Sequence, residues 1–563
     1  MATVNPPQPF FDPLAVDNYP TTRTFAPASP PLAAPLDSYW TAHYSSSLSH
    51  RNSTGPLPSA ADVVIIGSGL TGSTAAAELV DKLLEEPVKD AEGKTKTVKV
   101  VVIEARTFCS GATGRNGGHL TAYPVVHYAA LAEKYGVEDA VRAVKLEDEA
   151  IDWLLGLVHD ERWEEDVDLQ EGGGTLAVFD SPLQLASVRE SLAAAQEAGL
   201  SATVDKTRWF SAAEAKEKYG IEAEGALMVP GNNLYPLKFV TKLFQRALRR
   251  ASSAAASAAK NGDAPPVELE LYTHTVASGV EAAKEEGRWV VKTDRGEIET
   301  AHVLHATNAY LSSVLPSYTS SPTFPGVLPT RGQVLSLLPT SPTPSTPFAP
   351  WKNAFSPASL HPGKGVNTYA FQRQWSAAGE RRGEIIIGGM REFAEDWEWG
   401  VTDDGSVSTQ VGRGVRESFG KVWPGVFEVD GVTAEGGEGK ERIEVREEWT
   451  GIMGYREEGN PIVGPVFVDG KKQPGQWVSA GYSGHGMPRA PLCGRLTASL
   501  IYHHLSLSST PFNLPPHFPR HLLATPDGKG HGETRLEEED VQGEKDGKKR
   551  EKGWVWVKGT GKL

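Results

Sequence analysis

Apolar residues along this chain keep two different periods. Short β-branched runs at 62–66 (DVVII), 98–104 (VKVVVIE) and 383–389 (GEIIIGG), with strand character also at 267–272, 329–337 and 367–373, have the length and composition of buried strands. Helical spacing fills 73–83, 182–198 and 237–251, and it runs from 128 to 158 in two pieces that meet near Gly136. In the second piece Val137, Val141, Val144, Ile151, Leu155 and Val158 form one apolar stripe. A hairpin is predicted over 288–293 and 297–305, and a strand, turn and helix over 476–503. Strand-then-helix units open and close the chain, with β-rich stretches at 171–180, 226–239 and 329–389 between them. The pattern predicts an α/β domain interrupted by a second, β-rich one.

The first strand ends in spaced glycines, GSGLTG at 67–72, and the helical period begins directly after them. Gly67 permits the tight turn, Gly69 removes the Cβ that would keep a pyrophosphate from the backbone, and Gly72 lets the helix pack closely on the strand. Unpaired N–H groups at the helix start then face the phosphates. Alone, this spacing also suits a glycine-rich turn in another kind of α/β protein. The second strand strengthens the dinucleotide reading, because Glu104 closes it where a carboxylate receives ribose hydroxyls. Glu104 follows Gly72 by 32 residues, against about 20 in the usual pattern. The polar stretch 85–97, with Pro87 and Gly93, accounts for the excess as a surface loop. Residues 105–123 are too rich in small side chains for a helix and read as a loop lining a ligand. There Gly111, Gly114, Gly117 and Gly118 bare the backbone while Arg115, Asn116 and His119 supply donors; a flexible surface loop is the alternative. A second glycine-rich turn, GYSGHG at 481–486, precedes the last helix and repeats the anion-binding geometry.

Composition narrows the class. Across 563 residues, 56 basic and 71 acidic side chains leave a net charge of −15, which disfavours a general binder of nucleic acid or anionic membrane. The two cysteines, Cys109 and Cys493, exclude a disulfide framework and a cysteine-based metal cluster. Residues 1–60 and 311–350 are rich in Pro, Ser and Thr, and 527–553 are charged; of the first stretch, Ser38, Tyr39 and Trp40 are expected to dock. No apolar run has the length to span a bilayer and no secretory signal is visible, so a cytosolic protein is expected. Gly561-Lys562-Leu563 lies near the peroxisomal S-K-L signal but has Gly561 in place of serine.

Six blocks, in order along 60–505, carry a resemblance: GSGLTG (67–72), SGATGRNGGH (110–119), ATNAY (306–310), RGQ (331–333), GNPIVG (459–464) and GYSGHG (481–486). Together they resemble the FAD-dependent oxidoreductases of the D-amino-acid oxidase and sarcosine oxidase superfamily, most nearly the branch that includes γ-glutamylputrescine oxidoreductase. The resemblance implies an α/β fold in which a Rossmann-like FAD-binding domain (58–165, 236–326 and 441–510) is interleaved with an antiparallel β-rich, α+β substrate domain (166–235 and 327–440). An extended arm (1–57) and a charged tail (511–563) flank them. It also implies that Gly67, Gly69 and Gly72 hold the pyrophosphate with Leu70 beside them, Glu104 the ribose with Ala105 and Arg106 next to it, and Val276 the adenine side. Gly111, Ala112, Thr113, Asn116, Gly117, Gly118 and His119 would border the isoalloxazine, with Thr307 and Asn308 bringing backbone to the cofactor. Gly481, Gly484, Gly486 and Met487 would place a helix N-terminus near the pyrimidine ring, where reduced flavin carries negative charge.

The implied reaction removes a hydride equivalent from a carbon bearing an amine, in a small-molecule amine or amino acid, and the imine then hydrolyses; molecular oxygen reoxidises the flavin, releasing peroxide. Substrate positioning falls to Tyr455 and Arg373 on the roof and Tyr482 and His485 near the flavin, each equally open to a structural role. Two departures from the family pattern matter. Residues 449–458 hold no cysteine, so FAD is expected to be noncovalent. The strand that elsewhere carries an oxygen-promoting lysine is apolar here, with Ile385, Ile386 and Ile387, which leaves Arg391 or His485 for that task. A flavin dehydrogenase with another electron acceptor and a flavin-binding redox sensor without turnover therefore stay open as alternatives.

Overall fold

A computed structural model describes residues 19–339, 352, 354–357, 368–373, 383–422, 427–429, 441–506, 512–528, 534–540 and 552–558. Residues 1–18 of the arm, the stretch 340–350 with Trp351, and Gly561-Lys562-Leu563 lie outside them.

The β-branched runs assemble into two sheets. In the first, β1 (Ala60–Ile66) lies between two parallel neighbours, β2 (Val98–Ile103) and Gly296–His305. Val267–Tyr272 extends the sheet beyond β2, and Lys471–Ala480 then Ile462–Val468 extend the other side. A parallel centre must be covered on both faces, which is why its strands read as continuous apolar runs rather than alternating ones. On one face the helix α1 (Leu70–Glu85) packs against Pro236–Asn261 and Ala490–Leu505. On the other, Val64, Ile66, Val101 and Ile103 share a core with Ala277, Val291 and Ile298 of the antiparallel hairpin layer.

The second sheet is mostly antiparallel. Within it β3 (Leu328–Pro339) is paired along its length with β4 (Glu441–Tyr455) and on its other side with Ile385–Gly388. Tyr369–Gln372, Ala354–Pro357, Thr175–Phe179, Gly225–Val229 and Arg208–Ser211 complete that side. The chain therefore leaves the first sheet twice to build the second.

Local chemistry explains where elements start and stop. Tyr128–Tyr135 and α2 (Val137–Asp160) are separated at Gly136, whose φ of +84° a β-carbon would oppose. The buried face of α2 is Ala140, Val144, Glu147, Ile151, Leu154 and Val158, whereas Val137, expected to begin the stripe, is exposed on the first turn. Pro236–Asn261 outruns its expected end at 251, because the alanine-rich run favours helix until left-handed Gly262 caps it. Within the predicted loop 105–123, His119–Thr121 is a three-residue strand paired with Gly231–Asn233, too short to show a period in sequence. The arm docks at the expected place: Ser38 caps Tyr39–Ala42, and Tyr39 and Trp40 are buried. The charged tail, in contrast, does not begin at 511. Residues 512–528 pack on the body, with Phe518, Leu522 and Leu523 buried and the Ala524 N–H bonded to the Val463 carbonyl at 2.8 Å, since those apolar side chains gain more by burial than in solvent. Among the described residues, no helix is long and apolar enough to cross a membrane.

Several buried titratable groups give the fold a defined response to acid. Burial pulls His119, His302 and His305 down to about 4, and burial with the neighbouring charges of His302 and Lys472 takes His504 down to about 3. Burial pushes the carboxyls of Asp139 and Glu147 up, but hydrogen bonds and charge from His521 on the first, and from His485 and Arg489 on the second, outweigh it and leave both at about 2. For the imidazoles, the unfolded chain takes up protons first, so their stabilisation is complete above about pH 6.5 and is lost as pH falls toward 4. For the two carboxyls it is complete above about pH 4.5 and is lost toward 2. Each group contributes a slope of up to about 1.4 kcal/mol per pH unit within its window. Calorimetry should therefore show a thermal midpoint that drops already between pH 6.5 and 5, then more steeply; a midpoint constant over that first interval would contradict the burial of neutral imidazoles.

Candidate active site

A cavity of about 600 Å³ opens at the C-terminal ends of β1 and β2, where Ile66 and Ile103 reach it, and the second sheet supplies the facing wall through Gln333, Tyr369, Met453 and Tyr455. The turn after β1 has the geometry its glycines suggest. Gly67 has φ +110°, and a Cβ there would stand 2.6 Å from the Ala306 carbonyl oxygen; one on Gly72 would stand 1.9 Å from the Gly67 carbonyl oxygen. Both positions admit only glycine, and the N-terminus of α1 is thereby aimed at the cavity, with Gly69 and Leu70 on its wall.

At the end of β2, one oxygen of Glu104 accepts from the Ser68 N–H at 3.0 Å and its hydroxyl at 2.7 Å, and the other from the Arg106 N–H at 3.1 Å. These bonds hold the carboxylate on the cavity wall. Thr307 Oγ1 and Tyr310 Oη are buried on the same wall and bond to no described residue, so they are available to a polar ligand. A glycine turn, a helix N-terminus, a carboxylate and spare hydroxyls in sequence along one cavity fit an adenine dinucleotide bearing a flavin.

The loop 110–119 is anchored by buried charge. Asp404, a residue from beyond the second sheet's Ile385–Gly388 strand, pairs with Arg106 at 2.8 Å and Arg115 at 3.5 Å. Arg115 also donates to the Thr450 carbonyl at 2.8 Å and to the Leu36 carbonyl of the arm, while Trp40 Nε1 donates to the Asn116 carbonyl at 2.6 Å. His119 is neutral, its pKa held down by burial, with edge contacts to Tyr369 at 5.1 Å and Phe371 at 5.3 Å.

Most residues predicted for the cofactor are brought together here. Gly67, Gly69, Leu70, Glu104, Ala105, Arg106, Gly111, Ala112, Thr113, Asn116, Gly117, His119, Val276, Thr307, Asn308, Gly484, Gly486 and Met487 all line the cavity. Gly72, Gly118 and Gly481 do not: Gly72 packs against the turn, Gly118 leaves room for Trp40 and the Leu234 carbonyl, and Gly481 lies against the Arg456 side chain and donates to Asn308 Oδ1 at 3.0 Å. They shape backbone that other residues present.

The four positioning candidates separate. Tyr455 and His485 line the cavity. Arg373 does not; it is buried against Tyr39, Trp40 and Tyr235, pairs with Asp168 at 2.6 Å and donates to the Tyr39 hydroxyl. The charge that suggested a substrate contact instead locks the docked arm to the second sheet. Tyr482 borders the cavity, but its hydroxyl meets Thr71 Oγ1 at 3.0 Å and Ser479 Oγ at 2.8 Å, inside the packing of α1 against the last helix.

The sequence reading missed the group that holds the C-terminal turn. Glu147 of α2 is 1% exposed; one of its oxygens accepts from Arg489 at 2.6 Å, the other from His485 at 2.8 Å and from the Tyr123 N–H at 3.1 Å. Its signal was present: Val144, Glu147 and Ile151 stand at helical spacing, so a carboxylate sits inside an apolar stripe. Arg391 also lines the cavity, its guanidinium 4.5 Å from the Tyr455 ring and 4.8 Å from the Trp399 ring. No carboxylate among the described residues pairs with it.

A model of the family described as FAD dependent oxidoreductase, DAO, matches residues 62–500. Probable oxidoreductase OrdL of Rhizobium meliloti (strain 1021) is 24% identical over 444 residues, covering 78% of this chain and 82% of that protein. Among solved structures, glycine oxidase from Geobacillus kaustophilus superposes with a TM-score of 0.54 at 17% identity, over 82% of this chain and 99% of that one. L-proline dehydrogenase from P. horikoshii does so with 0.54 at 19% identity, over 80% and 95%. With the family match extending from β1 to the helix that follows the second glycine turn, and the cavity between them built to hold the cofactor, this chain belongs to the DAO family of FAD-dependent oxidoreductases.

Proposed function

We propose that this flavoenzyme oxidises the C–N bond of an amine or amino acid, most favourably one that carries a carboxylate. The observation behind this is Arg391: a buried guanidinium on the cavity wall, stacked on Tyr455, donating to the Trp397 carbonyl at 3.3 Å and without a carboxylate partner among the described residues. A desolvated cation in that state favours a ligand anion. Bound FAD would accept a hydride equivalent from the carbon next to nitrogen, leaving an imine that water hydrolyses.

In this reading the glycine turn and Glu104 orient the cofactor, and Arg391 fixes the substrate through its carboxylate. Tyr455 closes the wall beside Arg391 and over Gly484; a Cβ on that glycine would lie 2.8 Å from the Tyr455 hydroxyl. Glu147 holds His485 at the cavity, so positioning rather than a strong base lowers the barrier. Neither Cys109 nor Cys493 lines the cavity, which is consistent with noncovalent FAD.

For the second half-reaction we favour molecular oxygen with release of peroxide, Arg391 and His485 of the cavity wall being the candidate residues for that step. A dehydrogenase is the second reading, favoured by the buried Ile385, Ile386 and Ile387, which place no lysine on that strand, and by likeness in fold to a protein named as a dehydrogenase.

Anaerobic addition of D-amino acids, N-methyl amino acids and polyamines should bleach the flavin band with one of the amino-acid classes, and admitted air should restore it with stoichiometric peroxide. Bleaching that air leaves unreversed would transfer the assignment to a dehydrogenase, and a band indifferent to every amine would remove the reaction altogether. Replacing the roof cation, Arg391→Met, should raise KM for the carboxylate-bearing substrate about 10- to 100-fold with a smaller change in kcat, as expected for a lost charge-assisted bond. An unchanged KM would show that the carboxylate is bound elsewhere.

A further inference from the structure

The cavity does not end at the cofactor turn. Past His485 it continues into a lobe whose lining includes Pro124, Leu131, Ala143, Leu146, Pro519 and Leu522, alongside the polar Tyr123, His127 and Asn460. This wall is built rather than incidental. Asp139, on the first turn of α2, accepts from the Arg520 N–H at 2.7 Å and the His521 N–H at 3.0 Å, and so clasps the segment carrying Pro519 and Leu522 onto the same helix that supplies Ala143 and Leu146. His521 stacks on Tyr135 with ring centroids 4.0 Å apart, adding a second fastening.

Two carboxylates border this lobe, and both are already matched. Glu147 faces Arg489 at 2.6 Å and His485 at 2.8 Å, and Glu458 faces Lys134 at 2.6 Å. A second ammonium entering the lobe would lose its hydration without gaining a carboxylate of its own, whereas each methylene entering would leave water for the Leu131, Leu146 and Leu522 side chains. We infer that the lobe receives the substrate's side chain and selects an alkyl or aryl group over a second ammonium. The inference rests on the amine-oxidation reading above and adds the substrate class: amines with an apolar substituent rather than diamines or polyamines.

The test uses ligands that cannot be oxidised. Flavin-loaded protein is titrated with acetate, butyrate and hexanoate, and with 6-aminohexanoate, following the perturbation of the flavin absorbance. Affinity should rise about fourfold for each added methylene, and 6-aminohexanoate should bind about tenfold more weakly than hexanoate. Ala143→Trp, which fills the lobe, should flatten the series. Equal affinity along the series, or tighter binding of 6-aminohexanoate than of hexanoate, would overturn the assignment without reference to any variant. Anaerobic amine addition to the same samples reads the reaction separately: bleaching with a flat series overturns the lobe alone, and a steep series without bleaching supports the lobe while overturning the reaction.

Discussion

A turn and the helix it launches pack here too closely for any β-carbon between them. The backbone at Gly72 lies so near the Gly67 carbonyl that a β-carbon would stand 1.9 Å from its oxygen, and the start of α1 is thus seated directly on the end of β1. The same device recurs where the last helix meets α1, since a Cβ on Gly494 would lie 2.6 Å from the Thr71 carbonyl oxygen. Two helices packed through glycine bring both glycine-rich turns, 67–72 and 481–486, to one cavity. A single methyl group at either place would push the helix N-termini out of register with any cofactor between them.

Around that frame, buried charges fasten segments distant in sequence. Asp404 joins Arg106 and Arg115, Asp168 joins Arg373, and Glu147 joins His485 and Arg489. Removing one member of such a pair leaves an uncompensated charge and costs about 3–5 kcal/mol. The pairs do more than stabilise: each ties a cavity-lining element to a neighbour, the first to the second sheet's connections, the second to the docked arm, the third to α2. Arg391 differs in having no such carboxylate partner among the described residues.

The family and the cofactor half of the site were legible in sequence because they depend on local backbone. Glycine spacing after a β-branched run reports φ and steric clearance at fixed positions, and those are set within a few residues. Hence Gly67, Gly69, Glu104, Asn116 and Met487, expected at one site, line one cavity, and the two-sheet architecture follows from the alternation of strand and helix periods. The roles of Arg373 and Tyr482 were not legible, for a reason that is equally physical. A guanidinium or a phenol in a strand or turn can face substrate or partner, and only the arrival of Asp168 and Tyr39, or of Thr71 and Ser479, decides which.

By itself, then, the sequence determined the strand–turn–helix unit, its glycine turn, the carboxylate at the end of β2 and the docking of Tyr39 and Trp40. Tertiary structure alone decided which cation stands unpaired on the cavity wall, that Glu147 in an apolar stripe reaches His485 and Arg489, and that residues 512–528 return to close the lobe. The first set rests on conformational freedom and periodicity, which neighbouring residues fix. The second rests on pairing between charges and surfaces hundreds of positions apart, and that pairing exists only once the two sheets have been brought together.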